Sequence, residues 1–451
     1  MTDAPSHGAP RKLLSITDGV AFFVGIVLGA GIFKTPSIVA NMTGTNELFI
    51  GAWVLGGLAT LIGALCYAEL ASTYPSAGGE YNFLARAYGR HVAVLFAWSR
   101  CTVFQTGAIA AVAFVFGEYA EQLFSLGRHG AAIWAALSVI AFTGINVVGT
   151  LFGARAQKAL EILTVLALLA VIAIGFSIAG GPNVKPAAPG GGGSGMLGIA
   201  MVLVLLTYGG WNEVAYLSGE MRDVRRDMLR IVIIGSLVVT FLYVAFCTAL
   251  LLSLGLKGIA DSKAVGADLM RLAAGEKGVA LLAITVCLSC LSTINGSIFT
   301  GARTYFGLAH DLPPVARLGI WEDRGSNPTN ALYVQGAISL ALVGFGAIAQ
   351  DGFEAMVAYT APAFWFFLLL VAIALFIFRV REPDAPRPFR TPLYPLIPAL
   401  FVLLCGWLFY SSLSYIWSRP DFVGLGAFIG VIVMLAGIPL LAFVPRTARE
   451  G

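Results

Sequence analysis

The sequence predicts an all-α, polytopic membrane protein with about twelve transmembrane helices, and three observations carry that prediction. Of 451 residues, 58% are apolar and 12% charged, with a mean hydropathy of +0.85, a composition foreign to a domain with a water-facing surface. Stretches of about 20 apolar residues, enough at 1.5 Å per residue to cross roughly 30 Å of hydrocarbon, recur along nearly the whole chain. Two of those stretches are interrupted by glycine clusters, Gly29-Ala30-Gly31 and Gly209-Gly210.

Taken in order, spans are expected at 15–33, 47–70, 92–120, 130–149, 156–179, 197–218, 229–255, 278–309, 329–350, 353–379, 392–417 and 421–444. Residues 1–14 form a polar segment, and the apolar run after them outlasts a signal-peptide core without a small-residue cleavage site, so the first span is expected to stay in the mature chain. Residues 181–196, the most Gly/Pro-rich stretch, read as an outer loop joining two halves, 15–180 and 197–380. A loop at 381–391, a helix pair at 392–445 and a tail at 446–451 complete the division. With residues 1–14 inside, 19 of the 28 Lys and Arg fall on the inner side and 7 on the outer, which predicts both termini in the cytoplasm.

All six cysteines lie in apolar segments, so no disulfide framework is expected, and Cys287 with Cys290 reads as packing rather than half of a metal centre. No cofactor is expected, and the Lys/Arg distribution reads as membrane topology, not as a nucleic-acid surface.

The glycine clusters lie 180 residues apart, at matching places in halves of five spans each. Single clusters serve helix packing as readily as helix breaking. An odd number of spans per half inserts the second half upside down, so the pair predicts two inverted five-helix repeats with helices 1 and 6 discontinuous and a binding site at mid-membrane. Unwound backbone there must be buried in protein or line a polar cavity. Half-helix N-termini offer free amides and partial positive charge, and half-helix C-termini offer carbonyls and the opposite. An α-amino acid, with carboxylate and ammonium on one carbon, suits both.

Five strings then resemble the amino acid–polyamine–organocation superfamily, and within it bacterial relatives of the L-type amino-acid transporters. They are GAGIFKTPS (Gly29 to Ser37), YAELASTYPSAGGEY (Tyr67 to Tyr81), TYGGWNEVAYLSGEMRD (Thr207 to Asp223), LSTINGSIFTGAR (Leu291 to Arg303) and REPDAPRPFRTPLYPLIP (Arg381 to Pro398), in the family's order. The resemblance implies ten core helices, two peripheral helices, alternating access of a bundle against a scaffold, and a home in the plasma membrane, here a bacterial inner membrane. It implies that Val27, Gly29, Ala30 and Gly31 receive the substrate carboxylate and that Leu206, Thr207, Tyr208 and Gly209 receive its amino group, with Asn212, Phe104 and Ala108 facing the same pocket. Leu206 departs from the aromatic gate of many relatives, a task Tyr208 is expected to share. Thr164 stands where many relatives carry a lysine, so coupling based on that lysine does not transfer.

Charges in apolar spans are costly and need an account. Glu69 and Arg303 are expected to snorkel to the inner face or to form gate contacts. Arg100 has no evident local partner. Glu161 and Glu213 are candidate proton carriers or structural carboxylates, and Ser292 with Thr293 could ligate sodium or simply bond the preceding helical turn. An H+ or Na+ co-ion therefore stays open, as do exchange, symport and an accessory subunit. No nucleophile, zinc-protease or nucleotide-binding motif is present, which sets an enzyme or an ATP-driven pump aside. The expected function is secondary transport of neutral L-amino acids, by exchange or proton-coupled uptake. Sodium coupling, cationic amino-acid or polyamine substrates, and a non-transporting amino-acid sensor are the alternatives.

Overall fold

A computed structural model describes residues 15–29, 31–76, 78–180, 197–219, 221–262, 264–320, 327–348, 352–418 and 422–444, and among them every long element is helical. The expectations for 1–14, 181–196 and 446–451 lie outside the described residues. The first span is α1 (Ile16–Val27) and α2 (Gly31–Thr43), bent by 49° at the glycine cluster. α1 starts on a capping box, in which the Ser15 hydroxyl accepts from the Asp18 amide while Asp18 accepts from the Ser15 amide. α3 (Asn46–Thr73) follows, then the short α4 (Glu80–Tyr88). The third span is α5 (Arg90–Ser99), a π-helical turn at Arg100–Phe104, and α6 (Gln105–Leu123). α7 (Gly130–Val148) and α8 (Thr150–Ser177) come next.

α9 (Leu197–Thr207), a 3-10 turn at Trp211–Glu213 and α10 (Val214–Leu217) follow. The chain continues through α11 (Val224–Ala260), α12 (Val265–Asp311), α13 (Thr329–Gly346) and α14 (Gly352–Arg381), and then α15 (Leu396–Ser418) and α16 (Phe422–Leu435). Nine helical stretches among the described residues are long and apolar enough to cross a membrane, and the bent α1–α2 pair makes a tenth. Of the twelve expected spans, α9 is too short alone at 11 residues, and the 18-residue α13 is diluted by Asn330, Tyr333 and Gln335. α11 and α12 run past the expected limits because both turn sharply near one end, at Gly255 and at Ala274–Gly275, and carry a further turn or two beyond the kink.

Small residues set the close approaches between helices. A Cβ at Gly57 of α3 would lie 2.3 Å from Thr240 of α11, and one at Gly430 of α16 would lie 2.0 Å from the Tyr359 carbonyl of α14. Large aliphatic and aromatic side chains such as Leu55, Leu237, Phe241 and Leu403 point outward and exposed, as a lipid-facing surface requires.

Glu69 does not snorkel. It is 3% exposed, with its carboxylate accepting from Arg379 Nε at 2.7 Å, Arg379 Nη2 at 2.8 Å and the Thr391 amide at 2.7 Å, and with Arg387 Nε at 3.5 Å. The clamp ties α3 to the end of α14 and to the loop before α15. Close by, Tyr74 donates to Glu382, which also pairs with Arg86. Burial first, then that hydrogen bond, pushes the Tyr74 phenol up to about 12, so it remains a donor throughout the physiological range. Arg303 is likewise buried, lying 3.6 Å over the Phe299 ring and donating to the Phe299 carbonyl.

Candidate functional site

The two glycine breaks meet. After α9 the chain turns through Tyr208, Gly209 and Gly210. Gly210 has φ +102°, a conformation that disfavours side chains, and a Cβ there would lie 2.7 Å from Ile26 Cγ2 and 3.2 Å from the Ile26 carbonyl. Reciprocally, a Cβ at Gly31 would lie within 3.3 Å of Thr207. Glycine at both places lets the backbone of one break touch the other. Tyr243 of α11 ties the breaks together: its hydroxyl donates to the Val27 carbonyl at 2.6 Å and lies 3.2 Å from that of Thr207. Ser289 of α12 donates to the Leu28 carbonyl.

Between the breaks lies a cavity of about 260 Å³, just below the roughly 300 Å³ at which pockets for drug-sized ligands begin. Val27, Gly29 and Gly31 line it from the first break, and Leu206, Thr207, Gly209, Asn212 and Glu213 from the second. Phe104 and Ala108 line it from the third span and Thr293 from α12. The first amides of α2 have no upstream helical carbonyl to bond, and α9 and α1 end there in carbonyls, so the cavity offers both donors and acceptors of the main chain.

Other expected residues fall elsewhere. Ala30 lies outside the described residues. Tyr208 is turned away from the cavity into the α3–α11 packing, donating to the Trp53 carbonyl at 2.9 Å with its ring 4.8 Å from that of Tyr243. Ser292 accepts from Gln157 Nε2 at 2.9 Å and is not in the cavity wall; Ser289, which the sequence did not mark, is the hydroxyl on a first-span carbonyl. Glu161 and Thr164 are buried on α8 outside the wall. Gln105, Ser297, Thr360 and Phe364 line the cavity without having stood out in the sequence. Lys34 lines it too, 3.7 Å from Glu118 and 4.9 Å over the Phe353 ring.

Arg100 does have partners, 20 and 113 residues away in the chain. Its Nη2 lies 2.7 Å from both oxygens of Glu213, its Nη1 3.3 Å from Glu80, and its guanidinium 4.3 Å over the Tyr216 ring. Glu80 also accepts from Tyr67 at 2.5 Å, Tyr216 at 2.9 Å and Asn212 Nδ2 at 3.0 Å. The extra residue of the π-helical turn sits where Arg100 and Phe104 leave the third span toward this cluster and the cavity. Glu213 thus borders the cavity with its charge already engaged.

Comparison with known proteins gives matches over nearly the whole chain. Residues 14–440 match the family model described as amino acid permease. The chain is 28% identical to the large neutral amino acids transporter small subunit 2 of Oryctolagus cuniculus, over 96% of this chain and 80% of that protein. It is 28% identical to the cystine/glutamate transporter of Homo sapiens, over 95% and 84%. It is 26% identical to the serine/threonine exchanger SteT of Bacillus subtilis (strain 168), over 95% and 96%. With nearly its whole length matched by that model, the chain belongs to the amino acid permease family.

Proposed function

We propose that the chain carries neutral L-amino acids across the plasma membrane by alternating access, by exchange or proton-coupled uptake. The observation that carries this reading is the meeting of two half-helix ends on one small cavity. The substrate carboxylate lies on the amides that open α2, and its ammonium on the carbonyls that close α1 and α9. The side chain then extends toward Phe104, Ala108, Asn212 and Phe364. Neutral side chains fit because the wall's carboxylate, Glu213, is held by Arg100, and its cation, Lys34, has Glu118 beside it.

In the full architecture α9 with α10 forms the sixth span and α13 the ninth, giving twelve spans with both termini in the cytoplasm. Repeated neighbour relations support an inverted repeat: α1 packs on α11 as α9 packs on α3, α6 on α14 as α12 on α8, and α6 on α7 as α12 on α13. α15 and α16 pack on α14 outside this arrangement, as peripheral helices would. In this orientation Lys34–Glu118 lies on the outer side of the cavity and the Arg100 cluster on the inner side.

The test is uptake of a radiolabelled neutral amino-acid panel by purified protein in liposomes, with and without unlabelled amino acid inside. Saturable uptake stimulated by internal amino acid is expected. A folded protein that moves none of the panel overturns the proposal.

A further inference from the structure

Four carboxylates are buried among the described residues: Glu69, Glu80, Glu161 and Glu213. Three are held by arginine, Glu69 by Arg379 and Arg387, and Glu80 and Glu213 by Arg100. Glu161 has none. Its hydrogen-bond partner is the Gln157 amide at 3.1 Å, one neutral donor for two carboxylate oxygens. The carboxyl group is pressed against the first span, where a Cβ at Gly25 would lie 2.3 Å from Glu161 Oε1. Gly25 stands two residues before Val27, which lines the cavity at the end of α1.

Charges on the surrounding elements are engaged elsewhere or exposed. Asp18 of α1 pairs with Lys158 of α8 at 3.4 Å, Asp227 with Arg230 on α11 at 3.8 Å, and Arg303 of α12 lies over Phe299. Arg155 of α8 is exposed, and α7 carries no charge. Gln157 is itself fixed, since it donates to Ser292 at 2.9 Å and accepts from Asn295 at 2.9 Å. Thr164, one turn along α8 from Glu161, and Thr293, in the cavity wall next to Ser292, carry buried hydroxyls with no hydrogen-bond partner among the described residues.

An ionised carboxylate in this setting has too few donors and no ion-pair partner, since Lys158, one turn before it, is exposed and paired with Asp18, whereas a protonated one fits the wall against Gly25. We propose that Glu161 binds the proton that is carried with the amino acid, loading it through the cavity that Val27 lines while that cavity faces outward, holding it while α1 lies against α8, and losing it to inner water when α1 moves away. The inference rests on the reading of the chain as an amino-acid carrier. The proton is taken from outer water and given to inner water; only O–H bonds at the carboxylate form and break. One zwitterion moving with one proton carries one positive charge inward, so uptake is electrogenic.

The test uses the full-length protein in liposomes with a pH-sensitive dye inside and L-leucine or L-serine outside. Wild type should acidify the lumen on adding amino acid, and an inward proton gradient should accelerate uptake several-fold. Glu161→Gln, which keeps the shape of the protonated side chain, should exchange labelled for unlabelled amino acid at symmetric pH at a rate within about twofold of wild type, yet neither acidify the lumen nor respond to the gradient. Glu161→Asp should keep acidification with a displaced pH midpoint. Proton entry undiminished in Glu161→Gln, or loss of its symmetric exchange, overturns the assignment. Wild-type exchange without proton entry overturns it while leaving the carrier reading intact, and absence of wild-type exchange overturns the carrier reading itself.

Discussion

Replacing Arg100 by methionine should both destabilise the protein and redirect its selectivity. The guanidinium is 1% exposed and touches two buried carboxylates and the Tyr216 face. Breaking a buried ion pair from one side costs about 3–5 kcal/mol, because the remaining charge stays desolvated. Adding Glu213→Gln removes the orphaned carboxylate on the cavity side, while Glu80 keeps neutral donors in Tyr67, Tyr216 and Asn212. The double variant should therefore recover roughly half of the loss, about 2 kcal/mol. In the single variant the freed Glu213 carboxylate borders the cavity, and a cationic side chain gains a partner there. A gain of about 1.4 kcal/mol corresponds to tenfold tighter competition by lysine against labelled leucine. Thermal unfolding in detergent and competition uptake read the two effects. A single variant with wild-type stability and unchanged discrimination against lysine, or a double variant no more stable than the single, refutes the reasoning.

Other positions give independent tests. Gly210→Ala places a Cβ 2.7 Å from Ile26 Cγ2 at φ +102°, so it should cost about 2–4 kcal/mol and raise KM sharply, while Gly144→Ala, with open space around it, serves as the neutral control in the same thermal and uptake assays. Tyr243→Phe removes the donor to the Val27 carbonyl at the end of α1 and should cost about 1–3 kcal/mol, seen as a lowered unfolding temperature and a raised KM for neutral amino acids. Glu69→Gln leaves Arg379 and Arg387 without their carboxylate and should cost about 3–5 kcal/mol by thermal unfolding, partly recovered when Arg379→Met is added.

Much of this arrangement was legible in the sequence because the membrane imposes strong rules. Apolar runs of fixed length announce α3, α7, α8 and α14, and glycine clusters in two such runs announce the breaks, since unwound backbone in hydrocarbon needs a reason. The tertiary partners were not legible. Arg100 stands out as a buried cation, but nothing local names Glu80 or Glu213, which fold onto it from other elements. Tyr243 sits in an ordinary apolar run, and its hydroxyl matters through where α11 passes the breaks. Tyr208 shows the converse: its place in a motif suggested the cavity, yet the helical turn directs its ring toward Trp53 and Tyr243. The kinks at Gly255 and Gly275 carry helices beyond the apolar run, so hydropathy underestimates their length.

The Glu69 clamp also sets a timetable for synthesis. Its principal cation, Arg379, leaves the ribosome 310 residues later, and the Thr391 amide 322 residues later. At about 5–20 residues per second the interval is roughly 15–60 s. Throughout it, α3 carries a carboxylate destined for burial whose counter-charge does not yet exist, and water must hold that charge in the meantime. α3 can be inserted early, but its carboxylate meets its partners only after α14 and the following loop have been made. A chain that stalls before Arg379 therefore leaves this carboxylate without the cations that hold it in the finished molecule.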